Sequence, residues 1–136
     1  MRRHVENAHA VADFLKQHPL VAWVNYADDP DGPDAHLANK YLPHGGCGVL
    51  AFGLKGSRED TVRFMDGLRI ISIVTHVADA KSCILHPASH THRQLSDDQL
   101  RAAGIAPDLM RLSLGIEAAE DLIDDLRQAL EQVGKA

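Results

Sequence analysis

Between Arg3 and Gln17 apolar residues recur at three- and four-residue steps, at Val5, Ala8, Val11, Ala12 and Leu15, and His18-Pro19 ends the pattern. That period predicts a helix with one buried face. No good capping residue precedes Arg2, so the helix is expected to belong to an element that starts earlier in a longer chain. Leu20 to Tyr26 is short, apolar and rich in β-branched and aromatic residues, the composition of a strand. The Asp/Pro/Gly stretch from Ala27 to Asp34 is the strongest loop signal in the chain, and a brief helix follows from His36 to Tyr41. Gly45-Gly46 then allows a positive φ or a close backbone approach.

Gly48 to Leu54 predicts a central strand. Ser57, with Asp60 three places on, predicts the capped start of a helix whose inward residues are Val62, Phe64, Met65 and Leu68. Ile70 to Val74 and Ser82 to Leu85 read as two more strands, joined through His76 to Lys81. Ser96-Asp97-Asp98-Gln99 is a capping box opening a short helix that stops at Gly104. Met110 to Leu114 predicts the last strand. The terminal helix, Ala118 to Val133, is expected to bury Ala119, Leu122, Ile123, Leu126, Ala129, Leu130 and Val133. Strands alternating with helices through mostly short connectors predict an α+β fold, a two-layer sandwich with helices on one face of one sheet.

At 136 residues the chain suits one domain with a real hydrophobic core. Its 45% hydrophobic and 24% charged residues are those of an ordinary globular protein, and no run of eighteen apolar residues could cross a bilayer. The net charge of -5, with basic residues scattered among acidic ones, argues against a nucleic-acid surface. The N-terminal segment is amphipathic rather than a continuous apolar leader, which points to a cytoplasmic protein without a membrane partner. Cys47 and Cys83 share no paired spacing and each lies in an apolar run, so both are expected to be inert core residues.

Nine histidines invite a metal reading, sharpest at His86, His90 and His92, but their spacing matches no zinc signature. A Ser89, His92 and Asp97 triad can be composed on paper, yet no nucleophile-elbow motif accompanies it. Arg111 has the more informative setting. It opens an apolar strand while its own side chain is always charged, so it is either the grip for a carboxylate or an ordinary edge arginine paired with Glu117. Periodicity does not choose between them.

The segments Arg3 to Ala8, His18 to Tyr26, Lys40 to Pro43, Asp79 to Ser82, His86 to Ser89, Thr91 to Leu95 and Arg111 to Glu117 together resemble the Cys/Met metabolism enzymes that depend on pyridoxal phosphate. The likeness runs through essentially the whole chain. Val24-Asn25-Tyr26 after Trp23, with the long loop behind it, tilts the resemblance toward the branch that sulfhydrylates O-acetylhomoserine. It implies that residues 1–136 are a C-terminal domain of fold-type I transferases, with a small, mostly antiparallel sheet. The cofactor-binding domain is then expected to precede these residues, carrying the lysine, the aspartate for the pyridine nitrogen, the stacking aromatic and the phosphate loop. Pyridoxal phosphate is accordingly expected in the complete enzyme and not on this chain alone, which is expected to be inactive; Lys40, Lys55 and Lys81 lie outside the family's lysine motif. A homo-oligomer, tetrameric in the family, and an amino-acid substrate complete the implied partners.

The implied reaction takes O-acetyl-L-homoserine and sulfide or a thiol to homocysteine or methionine and acetate. Arg111 matches the family arginine that holds the substrate α-carboxylate. Where relatives carry Asn-Val-Gly this chain has His76-Val77-Ala78. His76 therefore takes over part of the carboxylate placement, with a pH response of its own, or marks a pocket that prefers another substrate, or is a loop histidine facing solvent. Ser89, Thr91 and His92 match a segment near the family's active-site entrance. Cystathionine γ-synthase, cystathionine β-lyase and methionine γ-lyase share the arginine and remain alternatives, as does a non-catalytic interaction module.

Overall fold

The helical period of the first segment becomes α1 (Arg2–Gln17), which buries Ala8, Val11, Ala12 and Leu15. In the computed structural model, which describes residues 1–134, the chain continues through β1 (Val21–Tyr26), α2 (Ala35–Tyr41) and β2 (Val49–Leu54). It then forms α3 (Arg58–Asp66), β3 (Ser72–Ile73), β4 (Cys83–Leu85), α4 (Asp97–Ala102), β5 (Met110–Ser113) and α5 (Ala119–Gly134). The strands make one five-stranded sheet in the order β1-β2-β5-β4-β3. Every pairing is antiparallel except β3 with β4.

Register divides the sheet into two faces, because residues paired across strands point the same way. Leu50 lies between Tyr26 and Leu112, Leu112 lies beside Ile84, and Phe52 lies between Val24 and Met110. This apolar face packs against α1, α3 and α5 around a core that includes Phe64, Met65, Leu122, Leu126 and Leu130. The expected two-layer α+β sandwich is therefore what forms. On the opposite face Arg111 stands between Ala51 and Leu85, and Ser113 stands between Val49 and Cys83.

The local signals for both capped helices hold. Ser57 and Ser96 each accept from the backbone N–H three residues on, while Asp60 and Gln99 reach back to the caps. Gly45 adopts φ +97°, and a Cβ on Gly46 would come within 2.5 Å of the Asp28 side chain. The Gly-Gly pair thus supplies both a positive φ and a close approach, fastened where Gly46 N–H donates to Asp28 Oδ2 at 2.9 Å.

Three expectations need correction. Val62 is 39% exposed, and the third buried residue of α3 beside Phe64 and Met65 is Thr61. Cys47 is exposed, because the chain enters β2 with its backbone turned inward and the Cys47 carbonyl accepts from the Tyr26 hydroxyl at 3.0 Å. The strand expected from Ile70 to Val74 shrinks to Ser72–Ile73, since the N–H groups of Arg69, Ile70 and Ile71 are already bonded to the Asp125 carboxylate. A backbone donor engaged by a side chain cannot also join a ladder.

Candidate functional site around Arg111

The opposite face of the sheet is partly roofed by the connection between β3 and β4. Residues 73–81 are all exposed, and the connection reaches the sheet through polar contacts. Ala78 N–H donates to Ser113 Oγ at 3.1 Å, and Ile116 N–H donates to the Ala80 carbonyl at 2.9 Å. Arg111 Nη2 donates to the Thr75 carbonyl at 2.7 Å and lies 3.4 Å from the His76 carbonyl. Its Nε is buried and has no acceptor among the described residues. One nitrogen of the planar fork is held, while a second donor on the same plane is buried with its hydrogen bond unmet.

Glu117 is not the partner of Arg111. Its carboxylate accepts from Ser82 N–H at 2.7 Å and from Ser82 Oγ at 2.9 Å. The fold brings His76 to Arg111 through its backbone carbonyl. Its ring is 66% exposed and rests 3.5 Å from Asp79. Cys83, on the same face as Ser113, is buried; burial pushes its thiol pKa upward, and the thiol donates to the Lys81 carbonyl, as expected of an inert core residue.

Ala78 is the one non-glycine residue with positive φ among the described residues, at 56°. An L side chain there crowds the following carbonyl oxygen. Ala78→Gly is therefore expected to stabilise the chain by about 1 kcal/mol. The check is the urea midpoint, and an unchanged or lower midpoint would count against strain at this residue.

The histidine-rich segment has a structural use. His86 is fully buried, its Nε2 donates to the Pro107 carbonyl at 2.8 Å, and its Nδ1 lies 2.8 Å from Ser89 Oγ. The carbonyl can only accept, so the neutral ring carries its proton on Nε2 and takes the Ser89 hydroxyl on Nδ1. His90 donates to the His86 carbonyl and His92 pairs with Thr91. These bonds dismantle the paper triad, since Ser89 belongs to His86 and not to His92. Among the described residues no group of three or more His, Cys, Asp or Glu side chains could hold a metal ion.

Burial holds the His86 pKa below its ordinary 6.5, helped by Arg58 and His90 and opposed by the Pro107 bond and Asp108. The folded state therefore favours the neutral ring. Its contribution to stability is complete above about pH 6.5 and drains away as pH falls through the folded value. The loss of urea stability between about pH 7 and about pH 5 is expected to be smaller in His86→Gln than in the wild type. Equal losses would mean that His86 does not titrate on unfolding.

Two carboxylate contacts differ in how legible they are along the chain. Asp125 sits on the apolar stripe of α5 between Leu122 and Ala129, and a carboxylate at that spacing was a usable signal. The Ser82 to Glu117 contact carries no such signal, because it spans 35 residues.

Comparison with known proteins gives the family. The family model for Cys/Met metabolism PLP-dependent enzyme matches residues 1–131. A sulfhydrylase-like protein of Epichloe uncinata is 47% identical over 131 residues, 96% of this chain and 28% of the relative. O-acetyl-L-homoserine sulfhydrylase 1 of Thermus thermophilus is 44% identical over 128 residues, 94% of this chain and 30% of that protein. The crystal structure of cystathionine gamma synthase from Xanthomonas oryzae pv. oryzae in complex with cystathionine superposes with a TM-score of 0.89 at 37% identity, covering 99% of this chain and 35% of that one. The chain thus spans about a third or less of the length of these relatives.

Proposed function

Because this chain belongs to the Cys/Met metabolism PLP-dependent enzyme family, we propose that it is the C-terminal domain of an enzyme that replaces the γ-substituent of O-acetyl-L-homoserine. Sulfide or a thiol enters, acetate leaves, and homocysteine or methionine results. The observation that carries the reading is Arg111, whose Nη2 is tied to Thr75 while its buried Nε has no acceptor. A substrate α-carboxylate would occupy that edge of the guanidinium, so that the amino acid is oriented before reaction.

Pyridoxal phosphate belongs, on this reading, to the rest of the complete enzyme, and the engagements of the described lysines support it. Lys16 is paired with Asp29, Lys40 lies over the Tyr41 ring, Lys55 donates to the Pro19 carbonyl, and Lys81 is exposed in the β3–β4 connection. In the complete enzyme the cofactor would supply the electron sink for elimination and addition at the γ-carbon, from residues outside this chain. What this chain contributes is binding and orientation. Arg111 takes the carboxylate, and the Thr75 and His76 carbonyls keep its plane fixed. His76 would influence the site through that carbonyl, with its imidazole at the rim. The same arrangement would serve a cystathionine γ-synthase, a reading favoured by the likeness to the Xanthomonas oryzae structure.

The test joins this chain behind the cofactor-bearing remainder of the Thermus thermophilus relative. Sulfide-dependent acetate release from O-acetyl-L-homoserine is expected from the joined protein and not from the chain alone with pyridoxal phosphate added. A joined protein that folds and binds cofactor but releases no acetate would overturn the reaction. Stoichiometric cofactor bound to a lysine of the isolated chain would overturn the division of labour.

A further inference from the structure

Resting on the carboxylate role proposed for Arg111, we infer that Glu117 is the positioning residue of that clamp, acting through Ser82 on the connection that orients the guanidinium. Residues 73–81 are all exposed, so burial of apolar side chains does not hold this segment in place. Its end is instead anchored to one carboxylate. Glu117 Oε1 takes the Ser82 N–H at 2.7 Å, Oε2 takes the Ser82 hydroxyl at 2.9 Å, and Ser82 Oγ in turn accepts Gly115 N–H at 2.8 Å. Ser82 is fully buried, which leaves its hydroxyl no water to fall back on.

The anchor is itself held from α1. Asn7 Nδ2 donates to the carbonyls of Gly115 and Glu117 at 3.1 and 2.9 Å, and His4 Nε2 donates to the Asp79 carbonyl at 3.1 Å. Gly115 is glycine for a reason visible here: a Cβ would collide with the Ala80 carbonyl and the Glu117 carboxylate. Once Ser82 is fixed, Ala80 meets Ile116 N–H and Ala78 meets Ser113, and the segment delivers the Thr75 carbonyl to Arg111 Nη2. A carboxylate that uses both oxygens on one residue sets direction as well as distance. Glu117→Gln keeps the shape but sets an amide N–H₂ against one of the two Ser82 donors.

The experiment uses the full chain with isotope labelling, the Arg111 Nε–H resonance being identified by its loss in Arg111→Lys. In Glu117→Gln the hydrogen-bonded amides of Ala78 and Ser82 are expected to exchange about tenfold faster or more, while those of β2 and β5 exchange as in the wild type. The Arg111 Nε–H resonance is expected to move, a change that a purely structural role for Glu117 does not produce. Ser82→Ala, the smaller lesion, is expected to act in the same direction and decides the matter if Glu117→Gln does not fold. An unmoved Arg111 resonance, or acceleration spread evenly over the core, overturns the inference. Titration with O-acetyl-L-homoserine separates the two readings. If both variants move Arg111 in the chain, but the Arg111 resonance of the joined, cofactor-loaded protein ignores the amino acid, the positioning role stands and the carboxylate role fails.

Discussion

Asp125→Ala is expected to remove roughly 3 to 5 kcal/mol from the stability of the chain, a large part of what a domain of this size possesses. The carboxylate is 4% exposed on the buried side of α5. It accepts from the backbone N–H groups of Arg69, Ile70 and Ile71 at 2.8, 2.9 and 3.0 Å, and from Gln128 at 3.2 Å. The three backbone donors belong to the turn between α3 and β3, where no ladder partner is available. Truncation would strand one buried and two part-buried backbone donors at once, a buried one costing on the order of 1 to 3 kcal/mol, with water entry limiting the total. Asp125→Asn should cost about half as much, because one oxygen remains to accept. Urea unfolding of the three proteins checks this; a loss below about 1 kcal/mol in Asp125→Ala would show that the turn finds other acceptors.

The other large effect is expected in function. In the joined enzyme, Arg111→Lys should raise KM for O-acetyl-L-homoserine by about a hundredfold with a smaller change in kcat. Lysine keeps the charge but loses the planar fork, so a two-point grip becomes a single contact. The loss of one charge-assisted bond together with its directional hold, roughly 2.7 kcal/mol, corresponds to that factor. An unchanged KM in a folded variant would remove Arg111 from the carboxylate site.

The elements themselves are legible along the chain wherever the signal is local. Capping boxes at Ser57 and Ser96, the Gly45-Gly46 turn and the stripes of α1 and α5 all act within a few residues, and each forms where expected. The failures share a cause. Ile70 has strand chemistry, but its N–H is taken by a carboxylate 55 residues away. Cys47 lies in an apolar sequence, yet which way it faces depends on the entry of the chain into β2. Val62 has the right period and the wrong side of the helix, because the α3 face is chosen by its packing against α5.

The same boundary runs through the candidate site. That Arg111 opens an apolar strand, and that the chain resembles a pyridoxal phosphate family, can be read from residue order, since both depend on identity and spacing. Whether Arg111 pairs with Glu117 cannot, because the two lie six positions apart with a turn between them. The fold gives the Glu117 carboxylate to Ser82 and the Arg111 fork to the Thr75 carbonyl. Hydrogen-bond partners are assigned by which buried donors and acceptors remain after the sheet has closed, and that competition exists only in three dimensions.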